Sequence, residues 1–437
     1  MLVVRRVVAG VHWGLAVVHV YWATGATWPA SGERALSMAV LGGPLSFSPG
    51  IVLPLAALHV LLGTAVLTSD RFKLSRFVVG GVAAGLAARA SAGVVWAFGV
   101  GTDTSTAFYW LNLFFYTPLC IALCVADLKL LRTRWIKATA VAAPVAGVVL
   151  LSLLAYAYQP TEQPSAAPSP DSRYVDTPLA RIHYRQRGSG SPVVLLSPGA
   201  SPTTAWSSEL DVLSTNHTVY VVDLPGQGET RLHDERFAFD LDGMTTSLGQ
   251  FLDAMKLSQV VIGGNSWSGG WGLAYAQRNP DRVSKLLLLA PSGLDEPDTW
   301  SWEILKQPLV GEALAKLAAS RSMVESALGG MFVHKQLITP KLVDTMWAPG
   351  TYRDNVRSMY ALERGLDWGV TEKALPSTRQ PTLVIWGDHD AVLPVAQADR
   401  FGQLLPNATV HVLPGCGHAL TVDCADQVTP LMAAFLR

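Results

Sequence analysis

Five apolar runs fill the first 158 residues, at about 7–25, 50–68, 77–99, 107–126 and 138–158. Each is near or above the roughly 20 residues that cross a bilayer as a helix. That feature narrows the options more than any other. Inside lipid the backbone must satisfy its own hydrogen bonds, so these runs read as helices. The second run could begin earlier, because 36–49 is also apolar, but that stretch carries Gly42, Gly43 and Pro44.

Charge in the connections sets an expected orientation. Arg5 and Arg6 precede the first run. Arg71, Lys73 and Arg76 lie between the second and third, and Lys129, Arg132, Arg134 and Lys137 between the fourth and fifth. The other two connections carry only Glu33 with Arg34, and Asp103. With five crossings every basic cluster falls on one side, which the positive-inside rule makes cytoplasmic. The N-terminus is then inside and everything after residue 158 is outside. A cleaved signal sequence is the alternative for residues 1–30. Against it, the run contains His12 and His19, has no convincing cleavage site, and is followed by more runs of the same kind.

Ionisable and polar groups in these runs are costly in lipid and should face the bundle interior. They are His12, His19, His59, Arg89 and Asn112. Hydrogen bonding between helices is the favoured reading; a small-ligand or lipid site, a proton path and haem ligation are the alternatives. Gly81-Val-Ala-Ala-Gly85, with Ala88 and Ala92 in similar spacing, predicts a small-residue face for close helix packing. The segment from His19 to Trp28, with Tyr109-Trp110 and Tyr116-Thr-Pro118, resembles an uncharacterised family of small four-helix bacterial membrane proteins. That resemblance covers residues 1 to about 130 and implies a bacterial plasma membrane, but no chemistry.

Composition changes sharply after this region. The chain as a whole is 437 residues long, 50% hydrophobic and 15% charged, but that average joins an apolar front to an ordinary soluble back. This predicts a transmembrane bundle over 1–158, a linker over 159–175 and a second domain over 176–437. Between Gln159 and Ser172 the linker holds four prolines among small polar residues, the composition of an extended spacer. Equal numbers of basic and acidic residues, 33 each, argue against a nucleic-acid binder.

In the second domain, short β-branched runs alternate with helical stretches. Strands are expected at 179–187, 193–197, 218–223, 260–264, 285–290, 382–387 and 409–413. The alternation predicts an α/β domain with a mostly parallel sheet and helices on both faces. Active sites in such sheets form at the carboxyl ends of the strands.

Gly264-Asn265-Ser266-Trp267-Ser268-Gly269-Gly270 sits between a Val-Val-Ile-Gly strand and a helical run. A serine presented on so sharp a strand-to-helix turn needs small neighbours two positions before and after it, here Gly264 and Ser268. Ser268 fits the same spacing loosely, but the strand ends closer to Ser266. Pro381-Thr-Leu-Val-Ile-Trp-Gly-Asp-His-Asp390 and Leu413-Pro-Gly-Cys-Gly-His418 follow, as does, upstream, the turn Asp223-Leu-Pro-Gly-Gln-Gly228. Together these four segments resemble the α/β-hydrolase superfamily over roughly 176–437, in its chain order Ser, Asp, His. The resemblance implies Ser266 as nucleophile, Asp390 as acid and His418 as base. It also implies an oxyanion hole from the backbone N–H groups of Trp267 and Ala200. The loop Ser197-Pro198-Gly199-Ala200 departs from the family's frequent His-Gly opening, which leaves the support of that hole in question. Asp223 is expected to shape a turn, Asp388 is a turn alternative to Asp390, and Asp295 is the reserve acid.

An insertion at about 294–377 reads as a helical cap bearing Trp300, Trp302, Met331, Phe332, Trp347 and Trp368. It suggests a small-molecule or lipid-like apolar substrate, although packing alone accounts for most such residues. Cys416 and Cys424 flank His418, and either a disulfide or two buried thiols fits that spacing. The expected function is a membrane-anchored serine hydrolase acting on an ester, with no cofactor and no metal. Alternatives are the same triad used for carbon–carbon cleavage, acyl transfer or haloperoxidation, and a transport or sensing protein with a non-catalytic outer domain. Oligomeric state is left open.

Overall fold

The computed structural model describes residues 2–131, 133–165 and 169–437. Arg132 of the third basic cluster and positions 166–168 of the linker lie outside that range, as does the side chain of Trp300. The chain divides into two compact units: Met1–Tyr158 with Trp300–Leu314, and Gln159–Thr299 with Ala315–Arg437.

In the first unit, Leu2–Ala23, Pro49–Thr68, Lys73–Ala97, Ala107–Leu130 and Arg134–Ala157 are five helices long and apolar enough to cross a membrane. The apolar stretch before the second is a separate helix, Glu33–Leu41, stopped at Gly42 with φ 76°. A left-handed residue there ends a helix, and glycine adopts it without steric cost. Leu2–Ala23 packs on Pro49–Thr68, while Lys73–Ala97 packs on both Thr117–Leu130 and Arg134–Ser152.

Of the small-residue face expected along Gly81, Gly85, Ala88 and Ala92, Ala92 alone is buried, and the two glycines pack against nothing. A Cβ added at either position would meet no heavy atom within 4 Å. The buried positions of that helix are Val79, Ala83, Ala87, Ala90, Ala92, Gly93 and Trp96. Gly81 and Gly85 each follow a buried position by two residues, which carries them roughly 200° around the helix. Close approach occurs instead at Gly93, where a Cβ would lie 1.9 Å from Thr117 Oγ1.

His12, His59, Arg89 and Asn112 bond between helices, as expected, whereas His19 bonds along its own. His12 Nδ1 and His59 Nδ1 are 3.1 Å apart across two helices. Arg89 donates to Asn112 Oδ1 at 2.9 Å, and Asn112 Nδ2 donates to the Gly93 carbonyl at 3.0 Å. His19 Nδ1 lies 2.8 Å from the Leu15 carbonyl of its own helix.

The second unit is built on a nine-stranded sheet. Its strands are β1 Ser172–Asp176, β2 Ala180–Arg187, β3 Ser191–Leu196, β4 His217–Val222, β5 Arg231–Leu232, β6 Val260–Asn265, β7 Val283–Leu289, β8 Thr382–Gly387 and β9 Ala408–Leu413. Their order is β1-β2-β4-β3-β6-β7-β8-β9, with β5 beside β2. Everything from β4 to β9 along that order pairs parallel, and the pairings of β2 are antiparallel. All six residues of β6 and of β8 are buried, as helices on both faces require. Trp206, Trp271, Trp386, Phe251 and Phe401 are fully buried in the core. Burial of a side chain this large contributes roughly 1.5–3 kcal/mol.

Strand β1 lies inside the segment read from sequence as linker. Upstream of it, Gln163 N–H donates to Thr351 Oγ1 at 2.8 Å, and Glu162 accepts from the Arg353 N–H at 3.0 Å. This stretch therefore runs along the start of helix Arg353–Gly365.

Candidate active site

Parallel pairing brings the carboxyl ends of β3, β6, β7, β8 and β9 to one edge of the sheet. Ser266 follows β6 directly and has φ 61° and ψ −131°. A non-glycine residue in that conformation stores about 1–3 kcal/mol of strain. The surroundings hold it there. Ser266 N–H donates to the Leu289 carbonyl at 2.9 Å, and its carbonyl accepts from Gly270 at 3.2 Å and Ser292 at 3.1 Å. A Cβ at Gly264 would lie 2.4 Å from the Ser268 backbone carbon, so the turn admits no side chain there.

Ser268 has a different position. It is fully buried. Its hydroxyl accepts from the Asn265 N–H at 3.0 Å and faces the carbonyls of Asn265 at 2.9 Å and Leu196 at 3.1 Å. That hydroxyl stitches the elbow to β3, whereas the half-buried Ser266 stands at the tip.

Asp390 and His418 meet across the ends of β8 and β9. His418 Nδ1 is 2.7 Å from Asp390 Oδ2, and the carboxylate is wholly buried. The other oxygen, Oδ1, accepts from Val392 N–H at 2.8 Å and Leu393 N–H at 2.9 Å. With Nδ1 committed to a carboxylate, Nε2 is the ring nitrogen left to accept a proton. Asp388 is used differently. It accepts from Gly415 N–H at 2.8 Å and contacts His389 at 2.6 Å, and the His389 bond holds its carboxyl below the usual range. Asp295 lies exposed after β7.

The loop that carries Ala200 packs against Trp267. Trp267 opens the helix Trp267–Arg278, so its N–H lies at the positive end of the helix dipole. Ala200 has φ 57°. Gly199, just before Ala200, is packed so closely that a Cβ would lie 2.7 Å from the Trp267 ring. Support for this loop comes from the turn after β4. Ser197 Oγ donates to Asp223 Oδ1 at 2.6 Å, Asp223 Oδ2 is 2.7 Å from His183 Nδ1, and Glu229 N–H donates to Oδ2 at 3.0 Å. Asp223 is thus a fully buried anchor beneath the loop that carries Ala200.

Further residues hold the loop around His418, and among them Asp423 carried no signal in the sequence. Asn265 Nδ2 reaches the His418 carbonyl at 3.4 Å and so joins the elbow to the histidine loop. His418 N–H donates to the Met331 carbonyl of the insertion at 2.8 Å. Asp423, buried, accepts from Gly417, Val333 and His334 N–H groups at 2.8, 3.0 and 2.9 Å. Cys416 and Cys424 are joined as a disulfide across the same loop. Met331, Phe332 and Met346 pack with Leu328, Val343 and Ala205, and Trp368 covers Gly270.

Comparison with known proteins places this geometry. Residues 192–423 match the family described as alpha/beta hydrolase fold, and residues 12–126 match a protein of unknown function (DUF3995). The chain is 27% identical over 272 residues to a 2-hydroxy-6-oxononadienedioate/2-hydroxy-6-oxononatrienedioate hydrolase of Comamonas testosteroni, covering 59% of this chain and 91% of the relative. It is 26% identical over 272 residues to a monoacylglycerol lipase of Bos taurus, covering 58% and 77%. The crystal structure of naproxen esterase from Bacillus subtilis superposes with a TM-score of 0.53 at 20% identity, over 61% of this chain and 91% of that one.

Proposed function

This chain belongs to the α/β-hydrolase family, and from that premise we propose that it is a membrane-anchored serine hydrolase cleaving an ester of an apolar substrate. One observation carries the reading: a strained serine at the elbow shares the sheet edge with a histidine already bonded to a buried aspartate. Ser266 Oγ attacks the ester carbonyl carbon while His418 Nε2 takes its proton. Asp390 stabilises the imidazolium. The N–H groups of Trp267 and Ala200 stabilise the oxyanion. Collapse breaks the bond to the alcohol oxygen, which leaves with the proton from His418. Water then attacks the acyl-enzyme with His418 again as base, releasing the acid and restoring Ser266.

Two observations support an outward-facing domain in a bacterial plasma membrane. The basic connections of a five-helix anchor share one side, and the Cys416–Cys424 bridge belongs to an oxidising compartment. The apolar packing of the insertion and the anchor itself favour a lipid-like acyl group.

A second reading has its own support. A carbon–carbon hydrolase is among the relatives, and the Gly264-Asn265-Ser266 start of the elbow fits that class as well. Purified full-length protein should be offered an aryl ester series of increasing acyl length and a 2-hydroxy-6-oxodienoate. The ester reading expects higher kcat/KM on the esters, and a Ser266→Ala loss of about 10³-fold or more. Unchanged ester turnover in Ser266→Ala refutes it, and preference for the dienoate transfers the site to the second reading.

A further inference from the structure

We propose that the end of the bundle bearing Lys73 and Arg76 holds a binding site for one anionic phospholipid. The proposal rests on the membrane-spanning reading and is independent of the catalytic one. A cleft of about 420 Å³ lies between the beginnings of helices Lys73–Ala97 and Arg134–Ala157. Its mouth carries Lys73, Arg76 and Thr133, and its wall continues through Phe77, Gly80, Gly81, Ile136 and Ala140.

Its charge is unbalanced. Among the described residues neither Lys73 nor Arg76 has an ion pair, and Arg76 Nε is buried with no hydrogen-bond partner. Asp70, the acid nearest in sequence, is taken by Arg5 at 2.5 Å. A guanidinium nitrogen left in that state beside a cleft calls for an anion.

The wall says what the anion is attached to. Gly81 lies about 12 Å along the helix from Lys73. Over that length the cleft is apolar, since Thr139 bonds its hydroxyl to the Trp135 and Ile136 carbonyls of its own helix. A Cβ at Gly81 would meet nothing within 4 Å, and Phe77 is 73% exposed, so the wall opens onto the lipid-facing surface. Two cations at the helix ends above an apolar channel match a phosphate with an acyl chain below it. Gly81, which packs against no neighbouring helix, instead makes room for that chain. By the positive-inside rule this end is cytoplasmic, where anionic lipid is available.

Native mass spectrometry of the full-length protein in detergent tests this, with phosphatidylglycerol, phosphatidylcholine and inorganic phosphate as probes. One phosphatidylglycerol should be retained in preference to phosphatidylcholine, and millimolar inorganic phosphate should not displace it. Arg76→Gln should weaken phosphatidylglycerol retention by about fivefold and leave phosphatidylcholine unchanged. Gly81→Leu fills the channel while raising helix propensity, so it should lose the lipid without unfolding. Equal retention of both lipids, full displacement by inorganic phosphate, or retention unaffected by both substitutions would each overturn the proposal.

Discussion

Glu209 is a carboxyl without a charge partner in the core of the second unit. It is fully buried, and Thr429 Oγ1 donates to it at 2.9 Å, alongside a bond from its own backbone N–H. Burial pushes its carboxyl up from 4.5 to about 7. The folded state therefore keeps a proton that the unfolded chain releases. The stabilisation that Glu209 contributes is fully present below pH 4.5, falls as pH rises toward 7, and then levels off. Glu209→Gln mimics the protonated form, so it should melt with the wild type at pH 4.5 and above it at pH 8, by roughly 1–3 kcal/mol. Equal melting at pH 8 would show that Glu209 ionises without cost. At this scale the catalytic candidates were legible, because a serine elbow imposes small residues at fixed offsets and the chain order is restrictive. The anchor beneath the loop that carries Ala200 was not. Ser197 and Asp223 are 26 residues apart and meet only because β3 and β4 pair in parallel. Sequence offers Ser197 only as a departure from a family pattern. The structure gives it a bond to Asp223 that holds the loop from below.

Elements were legible where a period repeats and obscure where it does not. All seven strands expected from β-branched runs are present within a residue or two at their ends. Strand β1 was missed because Ser-Arg-Tyr-Val-Asp has two apolar residues, no inward-facing run, and prolines just upstream. Its pairing with β2 supplies what its sequence lacks. The Gly81 stripe failed for the opposite reason: its spacing is right for a packed face, but spacing cannot say which way the helix is turned. The histidine loop is the most heavily tied element of the site. It is held by the Met331 carbonyl, by Asp423 and by the Cys416–Cys424 bridge. Closing so short a loop contributes about 2–3 kcal/mol in the chain-entropy account. Alkylation of the denatured protein should label two of its four cysteines without reductant and four with it, and reduction should lower the melting temperature. Four adducts without reductant would show two thiols in place of the bridge.

At the scale of the whole molecule, composition alone separates an apolar first region from a soluble second one. The boundary it draws is simpler than the one the chain adopts. Trp300–Leu314, inside the predicted cap, belongs to the compact unit of the membrane helices, where Leu309 and Ala313 are buried with Ala92, Trp96, Phe108 and Ala155. Periodicity could not assign it there, because an amphipathic helix shows that it has a buried face but not what covers that face. The proposed account joins the two units: helices that would anchor the chain, and a sheet that would carry a serine nucleophile on the outer side. Labelling of intact bacterial cells with a membrane-impermeant fluorophosphonate tests both halves together. The account predicts that wild-type protein is labelled in intact cells and that Ser266→Ala is not labelled even after lysis. Labelling that appears only after lysis would contradict the orientation, and labelling that survives in Ser266→Ala would contradict the nucleophile.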